Sequence, residues 1–409
     1  MGRFKRCAQG AMLAFVGSVL SGCTLSDALN HDAIYSVRTD GGMLTQTRQV
    51  AIVTDRQPGT AAQLGFDNHW GETVHCATSR VTVPAIAPAN GTDPQVNAEA
   101  PVPVECNETD SVDGFAKSIE TINSSTGCDR VLLYVHGYNT TFRSALLRAG
   151  QLAHDAEWPC ATAAFSWGSE GQFDRYVADI ERSSYAVPLL MGVLKGLKAR
   201  HVTPNIVAHS MGNRVTLSAL SGLSGSCDPD HPLINELILA APDVGAEQFN
   251  DDFGTLLSRA LRCVHRVTIY ASRNDMVLML SDSLHGGIPR AGLEPQSDIR
   301  YARDNHNVDV IDATDAPGDP LGHGYFVLSY EMLDDIQMAL RGTDIARRAG
   351  ETGTLRCANK DNQACTGPQD HYALLVSPSR ELGWTTRLER NILAFLLAIQ
   401  YGVPGQLTP

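Results

Sequence analysis

The chain has 409 residues, 43% of them hydrophobic and 19% charged, which is enough apolar length to bury the core of one large domain. No period of roughly 20–50 residues recurs, which excludes a solenoid or a propeller. A formal charge of −13 argues against nucleic acid, or an anionic membrane face, as an electrostatic partner.

The first 22 residues stand apart from the fold as a signal peptide. Arg3, Lys5 and Arg6 precede a mainly apolar run over 11–20, and Leu20-Ser21-Gly22-Cys23 follows at once. This is an export signal, and its small residues ending in a cysteine resemble a bacterial lipoprotein box in which Cys23 is acylated before cleavage. The run is short for a spanning helix, which needs roughly 18–20 residues. Without this segment and its three bases the remainder stands at −16, so the expected membrane link is the lipid on Cys23 rather than charge. Thr24 follows Cys23 where an Asp would favour the inner membrane, which points to the outer membrane, facing the periplasm. Residues 23–48 read as a polar tether.

A main domain is expected over 49–340. Residues 49–54 and 73–83 alternate as strands around a Pro58-Gly59 turn, forming N-terminal antiparallel strands, and the polar stretch 84–109 reads as a surface excursion. From Arg130 strand and helix alternate. The apolar run 131–135 has the form of a parallel strand buried on both faces. A helix over 142–153, a strand over 161–167 and a helix over 176–197, interrupted at Pro188, come next. Strand 205–208 leads into helix 212–223, and strands 237–240 and 267–270 flank a helix over 246–261. A last strand is expected at 308–311, before a helix over 325–340. This pattern describes an α/β fold: a mostly parallel central sheet with helices on both faces. Residues 341–409 form a C-terminal extension, polar around Cys357 and Cys365, whose amphipathic stretch 388–401 would pack on the main domain.

Eight cysteines remain outside the export segment, and an even set in an oxidising compartment reads as disulfides. Their connectivity is open, although order along the chain suggests that neighbours pair, above all Cys357 with Cys365. No C-x-x-C occurs and the histidines are scattered, so no metal site is expected, and the serine chemistry read from the following residues requires no cofactor.

The chemistry centres on Ala208-His209-Ser210-Met211-Gly212. A serine hydroxyl needs a base to take its proton and a sharp turn to raise it above the sheet, and crowding at that turn demands small residues two before and two after. Ala208 and Gly212 supply them between a buried strand and a helix, with Ala208 a mild departure from the usual Gly. Acid and base should then follow in the order Asp, His. Asp275, after strand 267–270, and His323, in Gly322-His323-Gly324, are the preferred pair, with Asp243 as alternative acid and His306 and His285 as weaker candidates for the base. Oxyanion donors are expected from the N–H groups of Met211 and of Tyr138, in the loop His136-Gly137-Tyr138-Asn139. His209 would shape the pocket beside His136 and Gly137.

The segments HGYNTTFRSALLRAGQLAHD, FSWGSEG, AHSMGNR, LAAPDV, YASRNDMVL and LGHGYF, in this order over roughly residues 48–340, resemble the bacterial α/β-hydrolase family DUF900. The resemblance implies an α/β-hydrolase fold with Ser210, Asp275 and His323 as triad, and Ser166, Trp167 and Tyr176 lining or bracing the pocket. It does not reach beyond Arg341. The expected activity is that of an esterase or lipase-like serine hydrolase acting on an acyl-containing small molecule or lipid. The alternatives are acyl transfer to an acceptor other than water, or an envelope-anchored interaction protein on the same fold.

Overall fold

A computed structural model of the chain describes residues 46–83, 97–104, 106, 112–246, 256–293, 305–316, 321–352, 355–357 and 372–375. The expected export signal, Cys23, most of the expected tether, Cys365 and the stretch 388–401 lie outside these residues.

Twelve strands among the described residues form one sheet. They are β1 (Gln46–Pro58), β2 (Phe66–Val83), β3 (Asn97–Ala98), β4 (Val102–Val104), β5 (Arg130–Val135), β6 (Ala161–Ser166), β7 (Thr203–His209), β8 (Ile234–Ala240), β9 (Val264–Ala271), β10 (Val308–Asp312), β11 (Leu355–Cys357) and β12 (Tyr372–Leu375). Their order is β11-β12-β10-β9-β8-β7-β5-β6-β1-β2-β3, with β4 on β2. β1 and β2 are the expected antiparallel pair, and β1 also runs parallel to β6, so the parallel body extends from β1 across to β12. This is the α/β-hydrolase architecture.

Alternation along the strands feeds two cores. Val131, Leu133 and Val135 of β5 enter one, with Ile206 and Ala208 of β7, under helices α1 (Asp113–Asn123), α3 (Tyr176–Ala199), α4 (Met211–Leu223) and α5 (Leu256–Ala260). Leu132, Tyr134 and Val207 face the other, under α2 (Phe142–Asp155), α7 (Tyr325–Leu328), α8 (Tyr330–Leu340) and α9 (Ile345–Thr352), while α6 (Met276–Leu284) follows β9. Sheets buried on both faces have continuous apolar strands for this reason.

Several expectations are corrected. Pro188 does not interrupt α3, which runs unbroken through it. Pro188 is exposed, as is Ser184 four residues earlier, so the carbonyl that loses its partner faces water. The helix expected over 325–340 breaks at Ser329, whose extended backbone ends α7 and whose Oγ accepts from Met332 N, capping α8. Of the helix expected over 246–261, Ala246 and α5 are helical and a 3-10 turn, Leu261–Cys263, follows α5, while residues 247–255 lie outside the described residues. β10 is not the last strand: β12 pairs beside it in parallel, and β11 pairs with β12.

A buried charged cluster ties α8 and α9 to the sheet. Arg348 of α9 is fully buried, with Nε 3.1 Å from Asp335 Oδ1 and NH1 donating to Thr268 Oγ1 at 3.1 Å. Tyr270 donates to Asp335 at 2.5 Å, and Asp309 and Glu236 lie at the same seam. Disulfides join Cys76 to Cys106, Cys128 to Cys160 and Cys227 to Cys263, each a pair of neighbours in sequence order.

Candidate active site

The register of the parallel strands aligns their C-terminal ends. Val135 pairs with Ala208, His209 with Ala240, Ala240 with Tyr270 and Ala271 with Asp312. The loops that leave those ends therefore converge along one edge of the sheet.

Ser210 occupies the turn between β7 and α4 with φ +52° and ψ −124°. A residue with a Cβ pays about 1–3 kcal/mol for such a conformation, and the surroundings hold it in place. Ser210 N donates to Ala240 O at 3.0 Å, while its carbonyl accepts from Asn213 Nδ2 at 2.9 Å and Asp243 N at 3.3 Å. Asn213 Nδ2 reaches Ala240 O as well, at 3.0 Å. A Cβ on Gly212 would lie 2.5 Å from the carbonyl oxygens of Val135 and His136, and one on Gly137 would lie 2.7 Å from Ser210 Cβ and 3.3 Å from its Oγ. A side chain is excluded at Gly212 by the backbone at the end of β5 and crowded at Gly137 by the serine and the His209 carbonyl. Ala208, the departure from the usual Gly, sits fully buried in the core.

Asp275 follows β9 and caps α6. Its Oδ1 accepts from Leu278 N at 3.0 Å, which orients Oδ2 to accept from His323 Nδ1 at 2.7 Å. Neither residue is more than 3% exposed. With Nδ1 as the donor, Nε2 is the nitrogen left to act as a base. The His323 loop is drawn in by Met276 N, which donates to Leu321 O at 2.9 Å, and by a left-handed turn at Gly322. His209 packs its ring against His323 with centroids 4.6 Å apart and stacks on Phe326.

Asp243 lies in a different network. Its carboxylate accepts from Tyr176 OH at 2.6 Å, Ser281 Oγ at 2.6 Å and Arg290 Nε at 3.0 Å, with Arg290 itself buried. That ion pair joins the loop after β8 to the strand-like segment around Arg290, which bridges to Gly245. His285 sets its ring edge-on to Tyr176 and pairs with Ser281 O through Nδ1, and His306 is exposed.

The loop expected to carry the oxyanion donors is braced from below by Arg56. This fully buried guanidinium donates to Thr140 O at 2.7 Å, Ser169 O at 2.8 Å and Ser166 Oγ at 2.9 Å. Asp179 completes the brace, accepting from Ser169 Oγ at 2.6 Å and from Asn139 N at 3.3 Å. His136 stacks on Trp167, whose Nε1 donates to His136 O at 2.8 Å. Burial first, and the Arg56 charge second, push His136 down to about 3, so it stays a neutral strut. Tyr138 packs edge-on to Tyr176, and Met211 opens α4, where a helix N–H has no intrahelical acceptor.

The structure thus brings Ser210, His323, Asp275, His209, Gly137 and Met211 to one edge of the sheet, with Trp167 beneath the His136 loop and Tyr176 beside Asp243. Arg56, Asp179 and Arg290 escaped sequence reasoning. Arg56 sits in a strand pattern with no motif around it, and each of the three has a partner tens of residues away: Thr140 for Arg56, Asn139 for Asp179 and Asp243 for Arg290.

Residues 113–341 match the family described as an alpha/beta hydrolase of unknown function, DUF900. No curated protein matches the chain. Among solved structures it is similar to an esterase of Pyrococcus furiosus, with 13% identity, 76% of this chain and 99% of that one covered, and a TM-score of 0.35. It is also similar to a lipase-esterase related protein from Clostridium acetobutylicum, at 11% identity, 53% and 95% coverage and a TM-score of 0.28. An esterase of Pyrobaculum calidifontis gives 10% identity, 70% and 91% coverage and a TM-score of 0.24.

Proposed function

The chain belongs to the DUF900 family of alpha/beta hydrolases, and from that premise we propose that it cleaves an ester or related acyl substrate through an acyl-enzyme on Ser210. The observation that carries this reading is the buried 2.7 Å bond from His323 to Asp275, in a loop packed against the residue preceding the strained serine. In the first step His323 Nε2 takes the Ser210 proton as Oγ attacks the carbonyl carbon, and Asp275 stabilises the imidazolium. The negative charge that develops on the carbonyl oxygen is met by the N–H groups of Met211 and Tyr138. The proton on His323 then passes to the departing alcohol. Water, activated by the same imidazole, releases the acid and restores the serine.

A fluorophosphonate probe tests the nucleophile. The expected result is covalent labelling of the wild-type chain and none of Ser210→Ala; equal labelling of the two would overturn the assignment.

We further propose that the chain is exported and held on the envelope by lipid at Cys23, on the strength of the basic, apolar and small-residue pattern of its first 23 residues. Cys23→Ala should abolish incorporation of a clickable fatty acid and move the protein out of the membrane fraction. Retention of both would refute the anchor.

A further inference from the structure

In the loop that leaves β5, the plane joining Gly137 to Tyr138 carries the N–H that the proposed chemistry needs. A Cβ on Gly137 would lie 3.3 Å from Ser210 Oγ, so this peptide starts beside the proposed nucleophile. A peptide unit is flat, so holding the Gly137 carbonyl oxygen on one side fixes the direction of the Tyr138 N–H on the other. The side chain at that oxygen is His136, whose Nδ1 stands 2.8 Å from Gly137 O.

Two separate contacts select one tautomer of His136. A carbonyl oxygen only accepts, so Nδ1 carries the ring proton and Nε2 the lone pair. On the far side Arg56 NH2 stands 3.5 Å from Nε2, and a guanidinium only donates, so a proton on Nε2 would face another donor. The ring is held in that orientation. It is fully buried and lies flat on Trp167, with centroids 4.9 Å apart and planes 13° from parallel, while Trp167 Nε1 donates to the His136 carbonyl at 2.8 Å. An asparagine in this place would offer the donor but no flat face for the indole.

We propose that His136 is the positioning residue of the oxyanion hole: its Nδ1–H holds and polarises the Gly137–Tyr138 peptide, aiming the Tyr138 N–H at the oxygen that turns negative as Ser210 attacks. The inference rests on the serine-hydrolase reading above. His136 touches no reacting atom and exchanges no proton in the cycle. A hydrogen bond accepted by an amide oxygen strengthens the N–H of the same amide as a donor. That gain is largest when the full oxyanion has formed, so it belongs to kcat and not to KM.

The test uses an aryl trifluoromethyl ketone and a p-nitrophenyl ester. Ser210 Oγ adds to the ketone carbon, its proton passes to His323 Nε2, and the carbonyl oxygen becomes an alkoxide in the oxyanion hole. His136→Phe keeps the stack on Trp167 and removes the donor. It should lower kcat, and raise Ki for the ketone, by the same factor of roughly ten or more, with KM little changed. His136→Asn, whose Nδ2 takes the place of Nδ1, should restore part of both. A lowered melting temperature with kcat and Ki unchanged would show a strut only and overturn the proposal. The wild-type chain supplies a second measurement that needs no variant to fold. With histidine labelled by 15N, His136 should show a protonated Nδ1 and a bare Nε2 at about pH 5 and at about pH 8 alike, since burial and the Arg56 charge push its titration down to about 3. The Nδ1 proton should also shift downfield when the ketone adduct forms. A proton on Nε2, or an Nδ1 signal unmoved by the adduct, would overturn the proposal while leaving the hydrolase reading in place. Absence of any ketone adduct, together with absence of fluorophosphonate labelling, would overturn the hydrolase reading and this inference with it.

Discussion

At the residue scale, the environment of each carboxylate separates the roles of two aspartates that follow neighbouring strands. Asp275 has one oxygen committed to the cap of α6 and the other to His323. Asp243 is saturated by Tyr176, Ser281 and Arg290. Asp275→Asn should lower kcat by roughly 10³–10⁴, because an amide in that place favours the wrong imidazole tautomer. Asp243→Asn should act through stability, since it leaves the Arg290 guanidinium buried without its counter-charge. Steady-state kinetics beside a thermal melt separates the two, and the reverse pattern would make Asp243 the acid. Gly137→Ala probes the opposite wall. Its new Cβ meets Ser210 Cβ at 2.7 Å and His209 O at 2.9 Å, so the serine must shift and turnover should fall by about 10² or more, with a lowered melting temperature from the clash with the His209 carbonyl. Sequence left the choice of acid open for a physical reason: both residues end a buried strand, and Arg290, which occupies Asp243, is 47 positions away. Ser210 was legible because strand, small residue and helix are contiguous there. Arg56 was not, since its partners at Thr140, Ser166 and Ser169 are brought to it by the sheet.

At the element scale, the parallel strands were readable because burial on both faces makes them continuous apolar runs. β11 and β12 have three and four residues in a polar stretch, too short to show a period. Their place is set instead by α9 and the charged seam beneath it. That seam supplies a pH dependence. Burial raises Glu236 from an ordinary 4.5 to about 8, against the opposing charges of Arg266 and Arg348. The folded chain therefore keeps a proton there that the unfolded chain releases, and folding takes up that proton between these two pH values. This contribution to stability is complete below pH 4.5 and is lost as pH rises towards 8, with a limiting slope of about 1.4 kcal/mol per pH unit. Denaturant melts at a series of pH values should show the difference between wild type and Glu236→Gln changing across that window. A difference flat from pH 4.5 to 8 would refute the protonated seam.

At the scale of the whole molecule, one sheet carries both ends of the described chain. The β1–β2 pair closes one side, and the α8–α9 seam with β11 and β12 closes the other. Among the described residues three disulfides span 30, 32 and 36 residues, and each is expected to stabilise the chain by about 2–4 kcal/mol by restricting the unfolded state. Reduction should lower the melting temperature, and non-reducing peptide maps should recover these three pairs; an unchanged melt would argue against their contribution.

Between these two supports the loops at the C-terminal edge of the sheet hold Ser210, His323 and Asp275, and an acyl-enzyme on Ser210 is the intermediate this arrangement would form. Intact-mass spectrometry after rapid quenching, with an activated ester that deacylates slowly, tests it most directly. The expected result is one acyl group per chain, on the peptide containing Ser210, and none on Ser210→Ala. Turnover without an adduct, or an adduct mapped to another residue, would contradict it.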